Sequence, residues 1–314
     1  MKRAVTLGLL MVIGALSLAL NAAQQPAGTQ SMVVEVEKLK DNLFVLRGNG
    51  GGGNTAVFVQ ANGVTVVDTK NPGWGQPILD KIRELTPKPV TRIVNTHTHG
   101  DHTSGNVAFP ASVEIVTHEN TKKRMQEWRP YYGRTEPPRN VFKESGGKGM
   151  PTRTFKDRLS IGSGSDQVDL YYFGRGHTDG DAWVVFPSLR TVHAGDIFSG
   201  KNLPFLDASN GGSGVAIPDS LQKAHATLKN VDTIITGHST QMTWADLAEW
   251  AQFNKDFLSD VQTAKKAGKS ADELAASWTI PEKYKAKGYV TNTNPDTGRT
   301  RLKDNVTNLY KEIK

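Results

Sequence analysis

The sequence of 314 residues contains no cysteine. This absence excludes disulfide frameworks, thiolate zinc fingers, iron–sulfur clusters held by cysteine and cysteine nucleophiles. A transition metal would therefore have to be bound by histidine, aspartate or glutamate side chains. The eight histidines are the first residues to inspect for such a site.

Apolar runs long enough to cross a membrane are also absent after the N-terminus. There, Lys2 and Arg3 precede an apolar stretch of 17 residues at positions 4–20, which is followed by small and polar residues. This order predicts a signal peptide over residues 1–22 and an exported protein, periplasmic or secreted. A retained anchor is the alternative, because the stretch approaches the lower limit for spanning a bilayer. Membrane contact is expected only through an uncleaved leader.

A basic stripe is missing as well, although the formal net charge is +7. The 38 basic residues are scattered along the chain and no nucleic-acid-binding appendage is visible. Nucleic-acid binding is therefore not expected, and a small molecule is the expected partner. The sequence leaves the oligomeric state open.

Strand patterns and helix patterns alternate from about Val33 onwards, with hairpins early and crossovers later. After His238 the pattern is mostly helical. This order predicts an α/β layered fold and a single domain over residues 32–314 with a C-terminal helical region. Strands are predicted at 43–46, 56–60, 64–68, 93–95, 113–117, 152–161, 167–173, 182–186, 191–194 and 233–236, and helices at 76–85, 119–128, 218–228, 244–267, 271–278 and 304–312.

Two segments have the composition of irregular connections. The glycine-rich segment 48–54 predicts a flexible flap beside a site rather than a phosphate cradle, because no Lys-Ser/Thr pair and no helix follow it. Residues 129–150 contain three prolines and four glycines without periodicity, which is typical of a functional loop.

The segment 95–106 reads NTHTHGDHTSGN and carries the clearest chemical signal. Because side chains two residues apart point the same way in an extended chain, His97 and His99 can share one metal ion. Asp101 and His102 follow after the chain bends and can face a neighbouring ion. The segment follows a predicted strand, and ligand sites in α/β sheets favour the carboxyl ends of strands.

Three further candidates, His177, Asp196 and His238, each follow a predicted strand and lie next to a glycine. Any one of them alone would more often be a cap or a surface residue. Together with the first motif they indicate one metal site built from several strand ends. The remaining histidines, His118, His193 and His225, are interpreted as structural or surface residues.

The segments VTVVDT, HTHGDHTSGN, GHTDGD, GDIFSG and TGHS resemble the metallo-β-lactamase superfamily in identity and order. The resemblance implies a four-layer αββα sandwich of two mixed β-sheets flanked by helices. It also implies two zinc ions, one held by His97, His99 and His177 and the other by Asp101, His102 and His238, with Asp196 bridging them and Asp68 supporting the ligands.

Such a site implies a hydrolase in which a metal-bridged hydroxide attacks the carbonyl of a lactone, ester or amide, including a β-lactam. Asp101 would be catalytic, holding the nucleophile and accepting its proton. The family's large cysteine-containing β-lactamase group differs at the position of Asp196 and has a lysine three residues later, where Ser199 stands here. Ser199, Lys201 and Tyr131 are candidates for contact with a substrate carboxylate.

Several alternatives stay open. Hydrolysis of a thioester, as by glyoxalase II, or of a phosphodiester would use the same fold. Iron or manganese could replace zinc, and an iron-dependent oxidoreductase resembling the persulfide dioxygenases would then be possible. A non-enzymatic exported binding protein is the remaining alternative.

Overall fold

The computed structural model describes residues 32–130, 135–292 and 300–314. The predicted signal peptide (1–22) and Tyr131 lie outside these residues, and the domain bounds 32–314 stay a prediction. The chain divides into two units, Met1–Met32 and Val33–Lys314, and the fold below is that of the second. Within the described ranges, no helix is long and apolar enough to cross a membrane.

The first β-sheet has seven strands in sequential order. Pairing is antiparallel from β1 to β4 and parallel from β4 to β7. Its strands are β1 (Glu35–Lys40), β2 (Leu43–Arg47), β3 (Thr55–Gln60), β4 (Gly63–Val67), β5 (Val90–Val94), β6 (Glu114–His118) and β7 (Arg153–Phe155).

The second β-sheet has six strands, in the order β13-β12-β11-β10-β9-β8. Strands β11 and β12 are parallel, and the other neighbours are antiparallel. Its strands are β8 (Arg158–Ile161), β9 (Val168–Tyr171), β10 (Trp183–Phe186), β11 (Thr191–Gly195), β12 (Thr233–Thr236) and β13 (Met242–Thr243).

The α-helices connect or flank these strands. The longest, α6, begins with a capping box in which Thr243 and Asp246 satisfy each other's backbone N–H groups. The helices of the described residues are α1 (Gly75–Leu85), α2 (Gly100–Thr103), α3 (Glu119–Glu127), α4 (Val141–Glu144), α5 (Ile217–Thr227), α6 (Trp244–Lys266), α7 (Ala271–Ser277), α8 (Glu282–Lys285) and α9 (Arg301–Glu312).

The two sheets pack face to face because alternate residues of each strand are apolar and point to the same side. Phe58 of the first sheet and Phe186 of the second meet edge to face, with ring centroids 5.1 Å apart. Val94 of β5 and Val184 of β10 belong to the same buried cluster. This cluster is the central core of the sandwich.

Helices cover the outer face of each sheet. Ile78 and Ile82 of α1 pack on Val66 and its neighbours in the first sheet. Trp250 and Phe253 of α6 lie in the cluster that covers the second sheet. The predicted four-layer αββα sandwich is therefore confirmed.

Several details differ from the sequence-based expectation, which also lacked the short elements α2, α8 and β13. The run 152–161, predicted as strand throughout, forms β7 and β8 with a turn between them, and the two strands belong to different sheets. Phe155 and Ile161 nevertheless enter the same central core, from opposite sides. Strand β1 was not predicted, because it is an edge strand whose side chains are mostly exposed. The segment 129–150 contains the short helix α4.

Candidate metal centre

The predicted ligands all follow strands whose ends converge at one edge of the sandwich. Parallel pairing of β4 with β5, and of β11 with β12, brings the carboxyl ends of these strands together. The seven ligands are His97, His99, Asp101 and His102 after β5, His177 after β9, Asp196 after β11 and His238 after β12, and the supporting Asp68 follows β4.

These side chains form two clusters that could each hold a metal ion. The first contains His97, His99, His177 and Asp196, and the second contains Asp101, His102 and His238; in each, the ligand atoms lie within 4.8 Å of one another. The first cluster is buried throughout. In the second, the side chains of Asp101 and His238 are 28% and 38% exposed, so the site is open to solvent on this side.

Asp196 reaches both clusters. Its Oδ2 atom lies 3.2 Å from Nε2 of His238 and 3.9 Å from Nε2 of His177, while its Oδ1 atom lies 3.3 Å from Nε2 of His102. A carboxylate in this place can contact an ion in either cluster, as the predicted bridging role requires.

Hydrogen bonds orient four of the ligand histidines so that one ring nitrogen faces the cluster. In the first cluster, His177 donates from Nδ1 to the Phe205 carbonyl (2.5 Å) and His99 donates from Nε2 to Asp207 (2.7 Å). The other two nitrogens of these rings, which carry lone pairs, lie 3.1 Å apart. Zn–N bonds of 2.0–2.1 Å in a tetrahedron separate two nitrogens by about 3.3 Å, so this pair fits one ion.

Asp68 orients one histidine in each cluster. Its Oδ2 atom accepts from Nδ1 of His102 (2.7 Å) and from the hydroxyl of Thr96 (2.7 Å). The Thr96 oxygen lies 3.0 Å from Nδ1 of His97 and, having donated its own proton to Asp68, accepts from that ring. The carboxylate therefore positions His102 directly and His97 through Thr96.

The ring nitrogens that face the clusters show whether a metal ion would fit. Nε2 of His97 is buried and has no hydrogen-bond partner among the described residues. A buried lone pair without a donor is costly, and a cation coordinated by it removes that cost. In the second cluster, Nε2 of His102 lies 3.2 Å from Nε2 of His238 and 3.3 Å from Oδ1 of Asp196, an arrangement that could surround one ion. The donor set is nitrogen and carboxylate oxygen, which suits zinc, iron or manganese.

The electrostatics of the two clusters differ. Burial lowers the pKa of His97 well below its usual value and that of His177 to about 3, so both rings are neutral and ready to coordinate. Burial acts the same way on His102 and His238, but nearby carboxylates outweigh it. Chiefly Asp101 and Asp196 raise the pKa of His102 well above its usual value, and a metal ion binding there has to displace a proton.

Sequence reasoning predicted Asp68 as a support but missed two other carboxylates that support the first cluster, Asp207 and Asp181. Asp207 lies 108 residues after His99. Burial acts to raise the pKa of the Asp207 carboxyl, but the hydrogen bond from His99 and the charge of His99 outweigh it and lower this pKa to about 2. Asp181 accepts from the backbone N–H and hydroxyl of Thr178, next to His177. Only the repeated aspartates in GHTDGD hinted at such a turn, and Asp207 had no signal.

Two of the three predicted substrate contacts, Ser199 and Lys201, have partners within the protein. Ser199 is buried, with its hydroxyl 3.5 Å from the Asn202 side chain. Lys201 forms an ion pair of 2.8 Å with Asp246. Both stay predictions as substrate contacts, and so does Tyr131, which is outside the described residues.

The other histidines have structural partners. Nδ1 of His118 accepts from the backbone of Asn120 at the start of α3. His193 is buried, and its ring lies within hydrogen-bond distance of the carbonyl oxygen of Asn54 (3.2 Å). His225 stacks on Trp244.

The glycine-rich segment 48–54 lies beside the second cluster, as predicted. The backbone N–H of Gly53 donates to the Asp101 carbonyl (3.0 Å), and the Gly53 carbonyl accepts from Nζ of Lys70 (2.6 Å). Lys70 is fully buried, and this burial lowers its pKa to about 8. The end of the segment nearest the site is therefore attached to the ligand-bearing chain, in contrast to the free flap that its composition suggests.

A two-sheet sandwich that gathers two neighbouring His/Asp clusters at one edge defines a candidate metalloprotein. Residues 48–238, which contain all seven predicted ligands, match the family model of the metallo-β-lactamase superfamily. The chain belongs to this superfamily, and the resemblance seen in its motifs is confirmed.

Individual relatives are distant. A metallo-β-lactamase type 2 from Elizabethkingia meningoseptica is 27% identical over 256 residues, covering 76% of this chain and 91% of the relative. A hydroxyacylglutathione hydrolase from Nostoc punctiforme is 29% identical over 176 residues, covering 54% and 53%. Among solved structures, a metallo-β-lactamase from Pontibacter korlensis has a TM-score of 0.58 at 19% identity, covering 71% of this chain and 99% of that chain. At such identity the structural likeness shows the fold alone.

Proposed function

We propose that the protein is a zinc-dependent hydrolase that attacks the carbonyl group of a lactone, ester or amide, including a β-lactam ring. One observation carries the proposal. Ring nitrogens held as lone-pair donors by Asp68, Asp207 and the Phe205 carbonyl converge with carboxylates at an edge that is open to solvent on one side. The open side leaves room for a substrate, which a closed structural metal site does not provide.

In this proposal, the first cluster and the second cluster each hold one ion, with Asp196 between them. Zinc ions bound there would lower the pKa of water toward about 7 and polarise a carbonyl oxygen. Asp101 lies on the exposed side. Burial acts to raise the pKa of its carboxyl, but the charges of His102 and His238 outweigh this effect and keep the pKa below the usual value. Its ionised carboxylate can orient an attacking water and accept the proton.

The relatives narrow the carbonyl substrates to test. One relative is named a metallo-β-lactamase and another a hydroxyacylglutathione hydrolase, so a β-lactam and a thioester are the first two candidates. The thioester gains support from Asp196, because the carboxylate bridge resembles glyoxalase II. Export after signal-peptide cleavage, predicted from residues 1–22, favours a substrate other than a glutathione thioester.

The test combines metal analysis with a substrate panel. Protein purified without added metal is analysed for zinc, iron and manganese, then loaded with zinc and assayed on nitrocefin, an acyl-homoserine lactone, an aryl ester, a phosphodiester and a thioester. Turnover of at least one carbonyl substrate is expected. His97→Ala should lose metal and activity together.

The Asp101→Ala variant separates catalysis from folding. We expect it to keep the ion of the first cluster and to lose at least about 100-fold in kcat, a typical loss for a positioned acid–base group. Activity that persists in metal-free protein would overturn the proposal. One iron per chain, with no hydrolysis of any substrate, would favour the oxidoreductase alternative instead.

A further inference from the structure

The segment 202–207 lies directly behind the first cluster and supplies two of its supporting groups. The Phe205 carbonyl accepts from His177, and the Asp207 carboxylate accepts from His99. The backbone N–H of Asp207 also donates to the His177 carbonyl (2.9 Å). Small movements of this supporting segment would therefore turn both imidazole rings.

The supporting segment belongs to neither sheet, so side chains from other elements have to fix its position. The indole of Trp250 in α6 donates to the Asn202 carbonyl (3.0 Å). An isolated backbone bridge joins Asn202 to Val290. These contacts hold only the beginning of the segment, away from Phe205 and Asp207.

The last helix, α9, holds the part nearer the ligands. Arg301 donates to the Asn202 side chain (2.9 Å) and to the Leu203 carbonyl (3.1 Å), and its guanidinium lies over the Phe205 ring, 5.2 Å from the ring centroid. Asn305, which is buried, donates to the Pro204 carbonyl (2.7 Å). Two consecutive carbonyls before Phe205 are thus fixed by one face of α9.

The other end of α9 contacts the chain beside the same histidine. Glu312 accepts from the backbone N–H of Gly214 (3.0 Å) and from the Ser213 hydroxyl. The backbone N–H of Ser213 in turn donates to the carbonyl of Gly176, the residue before His177 (2.9 Å). The helix therefore supports this ligand from two directions.

We propose that α9 is a positioning element of the first cluster, in which Arg301 and Asn305 hold the supporting segment so that His177 and His99 keep the orientation needed to bind metal. Helix α9 lies outside residues 48–238, which match the superfamily model, so this support comes from a part of the chain that the model does not cover. The inference rests on the proposed function, because it presumes that the first cluster binds metal.

The test measures zinc affinity at one cluster at a time. In a His238→Ala background, competition with a chromophoric chelator reports the first cluster, and in a His97→Ala background it reports the second. Arg301→Met and Asn305→Leu are introduced into each. Lys311→Met is the matched control, since Lys311 is an exposed cation of the same helix.

We expect Arg301→Met and Asn305→Leu each to weaken zinc binding at the first cluster about tenfold, the lower end of the effect of removing a group that orients a ligand. Binding at the second cluster and binding in Lys311→Met should be unchanged, and Arg301→Lys should recover part of the affinity. Unchanged affinity at the first cluster, or equal losses at both clusters, would overturn the inference.

A measurement on the unaltered protein tests the same inference if the variants fail to fold. Coupling between sites is reciprocal, so zinc should slow amide hydrogen exchange within Arg301–Glu312. Unchanged exchange in α9, with slower exchange in the supporting segment, would overturn the role of α9. Absence of zinc binding in the His238→Ala background would instead count against the proposed function, which separates the two failures.

Discussion

Replacing Gly53 by alanine tests how closely the glycine-rich segment approaches the second cluster. A Cβ atom at this position would lie 2.2 Å from Cε1 of His102 and 2.6 Å from both of its ring nitrogens. The imidazole cannot simply rotate away, because its Nδ1 is hydrogen-bonded to Asp68 at 2.7 Å. The methyl group therefore has to displace either the ring or the backbone bonded to Asp101.

The size of that displacement sets the expected effect. Carbon atoms make favourable contacts from about 3.5 Å, so the ring or the chain has to move by roughly 1.3 Å. A misplacement of about 1 Å in catalytic geometry costs on the order of 100-fold in rate, which corresponds to about 2.7 kcal/mol. We therefore expect Gly53→Ala to lose one equivalent of bound metal and about 100-fold in kcat.

Gly50 provides a matched control three residues away. It has φ of +72°, and a Cβ there would meet nothing within 4 Å. Gly50→Ala should cost roughly 1–2 kcal/mol of stability through backbone strain but leave metal content unchanged. Metal content by mass spectrometry, kcat and urea unfolding are compared for both variants. Full metal content in Gly53→Ala, with kcat within threefold of the unaltered protein, would refute the reasoning.

Three further changes test other parts of the structure. Asp207→Asn should weaken zinc binding about 10–100-fold because it removes the negative charge facing His99 and leaves one amide oxygen where two carboxylate oxygens now accept from His99, Ser209 and Asn210; chelator competition measures this, and equal affinity would contradict it. Burial raises the pKa of Asp181 to about 7, although hydrogen bonds from Thr178 act to lower it. Because the folded state then binds the proton more tightly than the unfolded state, the contribution of this group to stability falls as the pH rises from about 4 to 7. Asp181→Asn removes this titration. The unfolding free energy of the variant minus that of the unaltered metal-free protein should therefore be about 2–4 kcal/mol larger at pH 8 than at pH 5 in urea unfolding. A difference that does not change with pH would refute the raised pKa of Asp181 as the cause. Thr243→Ala should cost about 0.5–2 kcal/mol of unfolding free energy by removing the N-cap of α6, with the exposed Ser259→Ala as control; equal losses would argue against the cap.

Much of the fold was predictable because its signals are local. The alternation of apolar residues around Phe58 and the periodicity of Ile78 and Ile82 each report the face that is buried. The edge strand β1 gave no such signal, since an exposed strand needs no apolar alternation. The turn between β7 and β8 was missed because residues on either side of it both point into the central core, so their pattern resembles one continuous strand.

The seven predicted ligands could be proposed from their residue types, their spacing and their places after strands. The sequence could not show which nitrogen of each ring faces the cluster. That depends on Asp68 reaching His97 through Thr96 and on Asp207 reaching His99, contacts that exist only once the strand ends meet. Such partners have no fixed spacing, so no local pattern identifies them.

The pattern of the sequence predicted an α/β layered fold and metal ligands without thiolates, and the resemblance of its motifs to the superfamily implied the two-sheet sandwich. The folded structure was needed to show how those ligands are held, how Gly53 attaches the glycine-rich segment, and which contacts of α9 lead to the proposal that it supports the first cluster. The physical reason is the distance along the chain between the residues involved. Periodicity and residue type are local properties of the chain, whereas the orientation of a ligand depends on hydrogen bonds between residues that are about 30 to 140 positions apart.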